Sequence, residues 1–131
     1  GYKIDFSYDQ MVMVEADEYK IFQVIYNLVN NAINYTGDDK QIWVRQIVRE
    51  DGYVRIEVTD SGEGIAPEAL PYVWDRYYKV DKTHKRAVMG TGLGLSIVKN
   101  ILELHDARYG VESEVGKGST FWFELKVYQS V

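Results

Sequence analysis

Asn27-Leu28-Val29-Asn30-Asn31-Ala32-Ile33-Asn34-Tyr35-Thr36 is the stretch on which the rest of the chain turns. Asparagine is a poor helix former, because its amide competes for backbone hydrogen bonds. Yet four asparagines sit here inside an apolar pattern of helical period that begins near Asp17. Ile21, Val24, Ile25, Leu28, Val29, Ala32 and Ile33 supply a stripe that would bury one side of a helix. Asn27, Asn31 and Tyr35 fall at i, i+4 and i+8, with Asn30 and Asn34 one step aside, so the amides share the other side. Ordinary solvated helix faces use Lys and Glu instead. Amide oxygens are neutral hard ligands for Mg²⁺, which keeps some waters and takes further ligands from substrate phosphates. Two readings stand at this point: a polar face that happens to use asparagine, or a face built for a metal and phosphates.

Working outward, Asp17 is a suitable N-cap, with Glu18 well placed against the helix dipole. Thr36-Gly37-Asp38-Asp39 ends the helix with turn chemistry. Upstream, residues 2–8 alternate and predict a strand at a sheet edge, and residues 11–15 a short second strand. Downstream, residues 41–50 and 53–59 are rich in Val, Ile and aromatics around Asp51-Gly52, a strong hairpin signal. Val54, Ile56 and Val58 point one way, and Tyr53, Arg55, Glu57 and Thr59 the other, as in a half-buried sheet. That arm runs into Asp60-Ser61-Gly62-Glu63-Gly64-Ile65, and residues 67–73 read as a short helix with Pro67 in its first turn.

Periodicity then disappears over residues 75–89, which carry Asp75, Arg76, Lys79, Asp81, Lys82, His84, Lys85 and Arg86. Gly90-Thr91-Gly92-Leu93-Gly94-Leu95 follows and opens a second amphipathic helix, residue 96 to about 105. Two more strands, 108–115 and 120–127, are joined by Gly116-Lys117-Gly118-Ser119. In the last, Phe121, Phe123, Leu125 and Val127 alternate with Trp122, Glu124, Lys126 and Tyr128. Strands and helices do not alternate regularly, so the fold class is α+β, with helices on one face of a mixed or antiparallel sheet.

Composition narrows the function classes. At 131 residues with 46% hydrophobic and 27% charged, the chain suits one domain with a single core. No apolar run approaches the roughly 18–20 residues needed to cross a bilayer. Without cysteine there are neither disulfides nor thiolate metal sites. A net charge of −5 argues against nucleic acid as a partner. His84 and His105 are far apart and lack a spaced second ligand, which disfavours zinc.

Three further features bear on chemistry, each with an ordinary counterpart. Gly90 to Gly94 opens a helix, so backbone N–H groups and the dipole suit an anion; a plain turn at a helix start is the alternative. It is neither a dinucleotide fingerprint nor a Walker A loop. Asp60 at the end of a buried strand suits an exocyclic amine such as adenine N6, with Gly62 and Gly64 letting a planar base lie against backbone. An Asp turn is the alternative. The basic residues 76–86 suit a polyphosphate held beneath a lid, or form a solvated loop.

Together and in this order, these features resemble the ATP-binding domain of bacterial sensor histidine kinases, over about residues 2–128. Asn27 to Thr36 looks like the N box of that family. Asp60-Ser-Gly-Glu-Gly64 looks like its first glycine box, and Val73-Trp-Asp-Arg-Tyr-Tyr-Lys-Val-Asp81, which includes Tyr78, like the F box. Gly90 to Leu95 resembles the second glycine box and Gly116-Lys-Gly-Ser-Thr120 the closing one. The resemblance implies a two-layer α/β sandwich of the Bergerat type, a mixed, mostly antiparallel sheet covered on one face by helices.

It also implies roles for residues. Asn31 would be the main Mg²⁺ ligand, with Asn27 in support near the phosphates, and Tyr35 would stack beside adenine. Asp60 would read adenine N6, helped by Gly62, Gly64 and Ile65. Gly90, Thr91, Gly92, Leu93, Gly94 and Leu95 would hold phosphates, Tyr78 and Lys79 would belong to the same ATP site, and Thr120 would sit near the base. Asn34 stands where many relatives carry a phosphate-reaching Lys, which leaves that contact in doubt. Trp74 and Tyr77 replace a Phe pair, and His105-Asp106-Ala107-Arg108 replaces a His-Gly-Gly turn.

The implied function is to bind ATP·Mg²⁺ and donate the γ-phosphoryl group to a histidine on a separate helical dimerisation domain, in two-component signalling. That acceptor histidine is not in residues 1–131, which read as one catalytic domain. Implied partners are that dimerisation domain and a response regulator. The implied location is cytoplasmic, with any membrane contact made by other parts of a membrane-bound sensor. Two alternatives share the fold: an ATP-dependent serine kinase or regulator of the anti-sigma type, and a nucleotide sensor that transfers nothing. The loop 79–89 is expected to be the most mobile segment.

Overall fold

The computed structural model describes the backbone of residues 1–9, 11–74 and 93–128, and all their side chains except those of 93 and 94. Helix α1 (Glu18–Tyr35) forms on the apolar stripe, capped by Asp17, whose Oδ1 accepts the Lys20 N–H at 3.1 Å. Val24, Leu28 and Ala32 return every fourth residue and are buried, with Ile21, Ile25, Val29 and Ile33 packed at their flanks. The helix stops at Thr36, whose N–H donates back to Ala32 O at 2.8 Å.

Five strands follow the order β1-β2-β3-β5-β4, with β1 Lys3–Tyr8, β2 Gln41–Val48, β3 Tyr53–Asp60, β4 Arg108–Glu114 and β5 Gly118–Lys126. β1 runs parallel to β2, and the remaining pairs are antiparallel. This is the mixed, mostly antiparallel sheet expected, with β1 at its edge. Helix α2 (Leu93–Leu104) lies beside α1 on the same face of the sheet. Val98, Ile101 and Leu102 from α2 meet Val24 and Leu28 from α1 over Val58, Phe121 and Phe123. The result is an α+β sandwich of two layers.

The other face has no helix among the described residues. It is covered by its own long side chains. Arg55 lies 4.1 Å from the Trp122 ring centroid and Arg108 3.6 Å from that of Tyr53. Gly110 makes room for Trp122, since a Cβ there would come within 2.8 Å of the indole. Glu124, 3% exposed, is paired with Arg49, Arg55 and Arg108 at 3.2 to 3.4 Å. A carboxylate that buried requires such partners.

Four local expectations change. Residues 11–15 make only an isolated bridge, Val14 to Val127, because β5 already pairs with β3 and β4 along its length and offers free backbone only beyond Lys126. Residues 67–73 form a 3-10 turn at Leu70–Tyr72, since Pro71 lacks the N–H that an α-helix would need there. β2 ends at Val48, and the hairpin loop is Glu50-Asp51-Gly52, closed by the Arg49 N–H to Tyr53 O at 2.8 Å with Gly52 at φ +89°. α2 is described from Leu93, ahead of Ser96, and Leu95 in that turn already packs against the core.

The turn after α2 explains the replaced glycines. Ala107 N–H donates to Leu102 O at 2.9 Å and Asp106 N–H to Glu103 O at 3.2 Å, so Asp106 takes the left-handed position at φ +54°. Glycine adopts that conformation without the Cβ conflict. Asp106→Gly is therefore expected to stabilise the fold by about 0.5–1 kcal/mol. Urea unfolding would show a higher midpoint at unchanged slope.

Candidate functional site: the Asp60 end of the sheet

Asp60 is the last residue of β3, opposite Ile42 of β2 and Ser119 of β5. It faces the helix layer and is 1% exposed. Its Oδ1 accepts the Gly62 N–H at 2.8 Å, turning the chain sharply out of the strand. A carboxylate at this depth is an acceptor with no bulk water to satisfy it.

The loop that follows is gripped from two sides by main chain. A Cβ on Gly62 would overlap the carbonyl oxygen of Tyr35, in the last turn of α1. Gly64, at φ +78°, stands in the same way against Glu114 O, and Gly118, at φ +101°, against Asp60 O. These glycines are needed because backbone meets backbone. The places their side chains would fill are already taken by the protein's own backbone. Gly116 N–H to Glu63 O at 2.7 Å and Ile65 N–H to Ser113 Oγ at 2.7 Å complete the grip.

A second set of contacts ties the loop to the end of α1. Thr36 Oγ1 donates to Gln41 O at 2.7 Å and accepts the Ser61 N–H at 3.3 Å. Ser61 Oγ donates to Asp39 Oδ1 at 2.5 Å, which also accepts the Gln41 N–H at 3.1 Å. The Ser61 hydroxyl, then the Gln41 N–H, hold the Asp39 carboxyl below the usual carboxylate range. Thr36, Asp39 and Ser113 were not singled out from the sequence, since each acts through partners distant in the chain.

On α1, Asn31 lies one turn before Tyr35, whose carbonyl oxygen abuts Gly62. The Asn31 Nδ2 is buried and has no hydrogen-bond partner among the described residues. A buried amide left so costs about 1–3 kcal/mol. Asn27 is half-buried, Tyr35 half-buried, and Asn30 and Asn34 exposed. The four amides are thus unequal: Asn31 is half-buried like Asn27, but its amide nitrogen is fully enclosed. Its two amide ends are near-isosteric, so rotation offers Oδ1 to a cation or Nδ2 to a phosphate oxygen. Among the described residues no cluster of His, Asp or Glu could hold a metal, so a cation here would depend on neutral amides together with a ligand's own anionic groups.

The remaining expectations divide. Leu93, Gly94 and Leu95 open the described part of α2; the Leu95 side chain packs against the core. Ile65 is buried behind the loop. Thr120 is separated from the rest. It pairs with Thr59, Oγ1 to Oγ1 at 2.8 Å, on the helix-free face of the sheet. Ser119, buried and hydrogen-bonded to Ser113 Oγ at 2.8 Å, takes the place beside Asp60. The cause is alternation: Thr120 shares a face with Trp122, and Ser119 with Phe121. Tyr78, Lys79, Gly90, Thr91 and Gly92, with His84 and the whole loop 79–89, lie outside the described residues.

His105 is fully engaged. Its Nε2 accepts the Asp17 N–H at 3.1 Å while Nδ1 donates to Ile101 O at 2.8 Å. It joins the end of α2 to the start of α1.

The sequence matches, over residues 16–129, the family model described as histidine kinase-, DNA gyrase B-, and HSP90-like ATPase. Drug sensory protein A of Synechocystis sp. is 42% identical over 120 residues, which are 85% of this chain and 18% of that protein. Sensor protein SrrB of Staphylococcus aureus is 42% identical over 127 residues, 95% of this chain and 21% of that protein. The chain therefore spans about a fifth of the length of these curated relatives. Among solved structures, a nucleotide-free catalytic domain of histidine kinase ThkA superposes with TM-score 0.75 at 33% identity, covering 94% of this chain and 78% of that one. Full-length ShkA in complex with AMPPNP gives TM-score 0.78 at 27% identity, over 97% of this chain and 26% of that one. The mycobacterial sensor histidine kinase MprB shares the fold at TM-score 0.80 and 23% identity, over 97% and 84%.

Proposed function

Because this chain belongs to the family of histidine kinase-, DNA gyrase B- and HSP90-like ATPases, we propose that it binds ATP·Mg²⁺ beside Asp60 and presents the γ-phosphoryl group to a histidine carried elsewhere. In this reading it is the catalytic domain of a sensor histidine kinase in two-component signalling. The observation that carries it is the buried Asp60 carboxylate at one end of the sheet together with the buried amide nitrogen of Asn31, which has no hydrogen-bond partner among the described residues.

Asp60 accepts a hydrogen bond from the adenine amine, and its charge disfavours bases that present an acceptor there. The Gly62 turn holds that carboxylate in one orientation. Ser119 is the hydroxyl placed to join it, in the role the sequence suggested for Thr120. The first turn of α2, Leu93 to Leu95, offers backbone N–H groups to the phosphates. Lys79, Tyr78 and the glycines 90–92 would close over them. Asn31, with Asn27 in support, would hold Mg²⁺, which when bound neutralises phosphate charge. Asn34, exposed on α1, has a polar amide but no cationic head to replace a phosphate-reaching Lys. Transfer then depends on positioning and charge stabilisation. His105 is an unsuitable nucleophile, since both ring nitrogens are in use.

The proposed partners follow from that chemistry: a helical dimerisation domain that carries the acceptor histidine, and a response regulator that receives the phosphoryl group. Among the described residues no helix is long and apolar enough to cross a membrane, and a cytoplasmic placement within a membrane-bound sensor is part of the proposal. Calorimetry tests the metal assignment. ATP affinity should fall when Mg²⁺ is chelated, and Asn31→Ala should lose about tenfold in Mg²⁺-dependent affinity at an unchanged melting temperature. Equal affinity with and without Mg²⁺ in both proteins would remove Asn31 from the site. For the transfer step, labelled ATP and a panel of helical dimerisation domains should yield acid-labile phosphohistidine; label on none of them would leave binding without transfer.

A further inference from the structure

Strand β1 forms the outer edge of the sheet, and all its residues are exposed. Lys3 N–H donates to Lys40 O at 2.9 Å and Asp9 N–H to Gln46 O at 3.1 Å. Alternate residues of a strand turn their backbone groups to opposite edges. Lys3, Asp5, Ser7 and Asp9 therefore bond to β2, while Ile4, Phe6 and Tyr8 turn N–H and C=O outward. Sheet edges are commonly blunted by short strands, charged side chains, proline, a bulge or a covering segment; β1 is short and carries Lys3 and Asp5, but has no proline, bulge or covering segment among the described residues. Its register with Ile42 and Val44 puts the side chains of Ile4 and Phe6 on the helix-side face. No helix among the described residues reaches them, and Phe6 and Tyr8 are 70% and 74% exposed.

We propose that β1 pairs antiparallel with β1 of a second copy of this chain, about a two-fold axis through Phe6, to make one continuous sheet. Outward backbone groups pair only with outward groups, which limits the symmetric registers. Centring on Asp5 sets two carboxylates directly opposite each other. Centring on Ser7 sets Asp5 of each copy opposite Asp9 of the other. Like charges so placed oppose pairing. Centring on Ile4 or Tyr8 runs off the end of the strand. Centring on Phe6 matches all three outward residues with one another: Ile4 against Tyr8, and Phe6 against Phe6. It also sets Asp5 opposite the neutral Ser7, and Lys3 opposite Asp9, whose Oδ2 accepts the Val48 N–H of its own chain at 3.1 Å. The register that uses the whole strand is thus the one whose charges agree.

One strand edge is a small interface, so the association is weak and concentration-dependent. Sedimentation equilibrium from about 10 μM to about 1 mM should show a reversible monomer–dimer equilibrium. Phe6→Pro removes only an outward N–H, leaving the bonds to β2, and proline is tolerated on such an edge. It should give a monomer throughout, with the melting temperature retained. Ser7→Lys sets an ammonium opposite Asp5 twice in the dimer and should tighten association about tenfold, whereas Ser7→Asp should weaken it similarly. A chain that is monomeric to the highest concentration overturns the proposal. So does a dimer in which the two Ser7 variants behave alike, a result that stands even if Phe6→Pro fails to fold.

Discussion

Asp60→Asn is expected to weaken ATP binding by about 100-fold, close to 3 kcal/mol, while leaving the fold in place. Asparagine keeps an oxygen to accept the Gly62 N–H now held at 2.8 Å, so the turn out of β3 is retained. What changes is the other end of the group. An NH₂ replaces a carboxylate oxygen and meets the amine of adenine donor to donor. The lost interaction is charge-assisted and lies in a site shielded from water, where such bonds count most. Isothermal titration beside a thermal melt separates the two effects. Unchanged affinity in a folded Asp60→Asn protein would mean that the base is not read at this position.

Gly62→Ala is expected to cost the fold about 3 kcal/mol or more. The added Cβ would overlap Tyr35 O and lie 2.9 Å from Asp60 Oδ1. Neither neighbour can withdraw easily. Tyr35 belongs to the last turn of α1, which is pinned through the Thr36 N–H to Ala32 O and Thr36 Oγ1 to Gln41 O. Gly116 provides the contrast. It has φ +85° but nothing within 4 Å of the added atom, so Gly116→Ala pays only the backbone term, about 1–2 kcal/mol. Urea unfolding of both variants distinguishes crowding from conformational strain. If Gly62→Ala is no less stable than Gly116→Ala, crowding at Tyr35 is not what requires glycine.

The helix with its amide side, the hairpin, the buried alternation of Val54, Ile56 and Val58, and the edge position of β1 were all legible, because each is written in a local period. Asp60 was legible as the end of such a run. The reason for Gly62 and Gly64 was not, since it lies in the carbonyls of Tyr35 and Glu114, residues far off in sequence. The Thr36, Ser61 and Asp39 contacts were hidden for the same reason. Ser119 is a different case. Counting back by two from Leu125 through Phe123 and Phe121 arrives at Ser119, so the alternation already put Ser119 rather than Thr120 on the Asp60 side of the sheet. Pro71 likewise forbade the short α-helix read over residues 67–73.

The helix-free face of the sheet has a consequence for how this protein tolerates change. Elsewhere a layer of helices shields the strands, and a substitution is absorbed by many neighbours. Here the shield is one side chain deep. Arg55 reaches Glu57 at 2.8 Å and Glu124 at 3.2 Å, and stacks on Trp122. Altering any of the four changes the value of the others, so substitutions on this face should combine non-additively. That side of the molecule diversifies by sets of residues, while the helical side diversifies one position at a time.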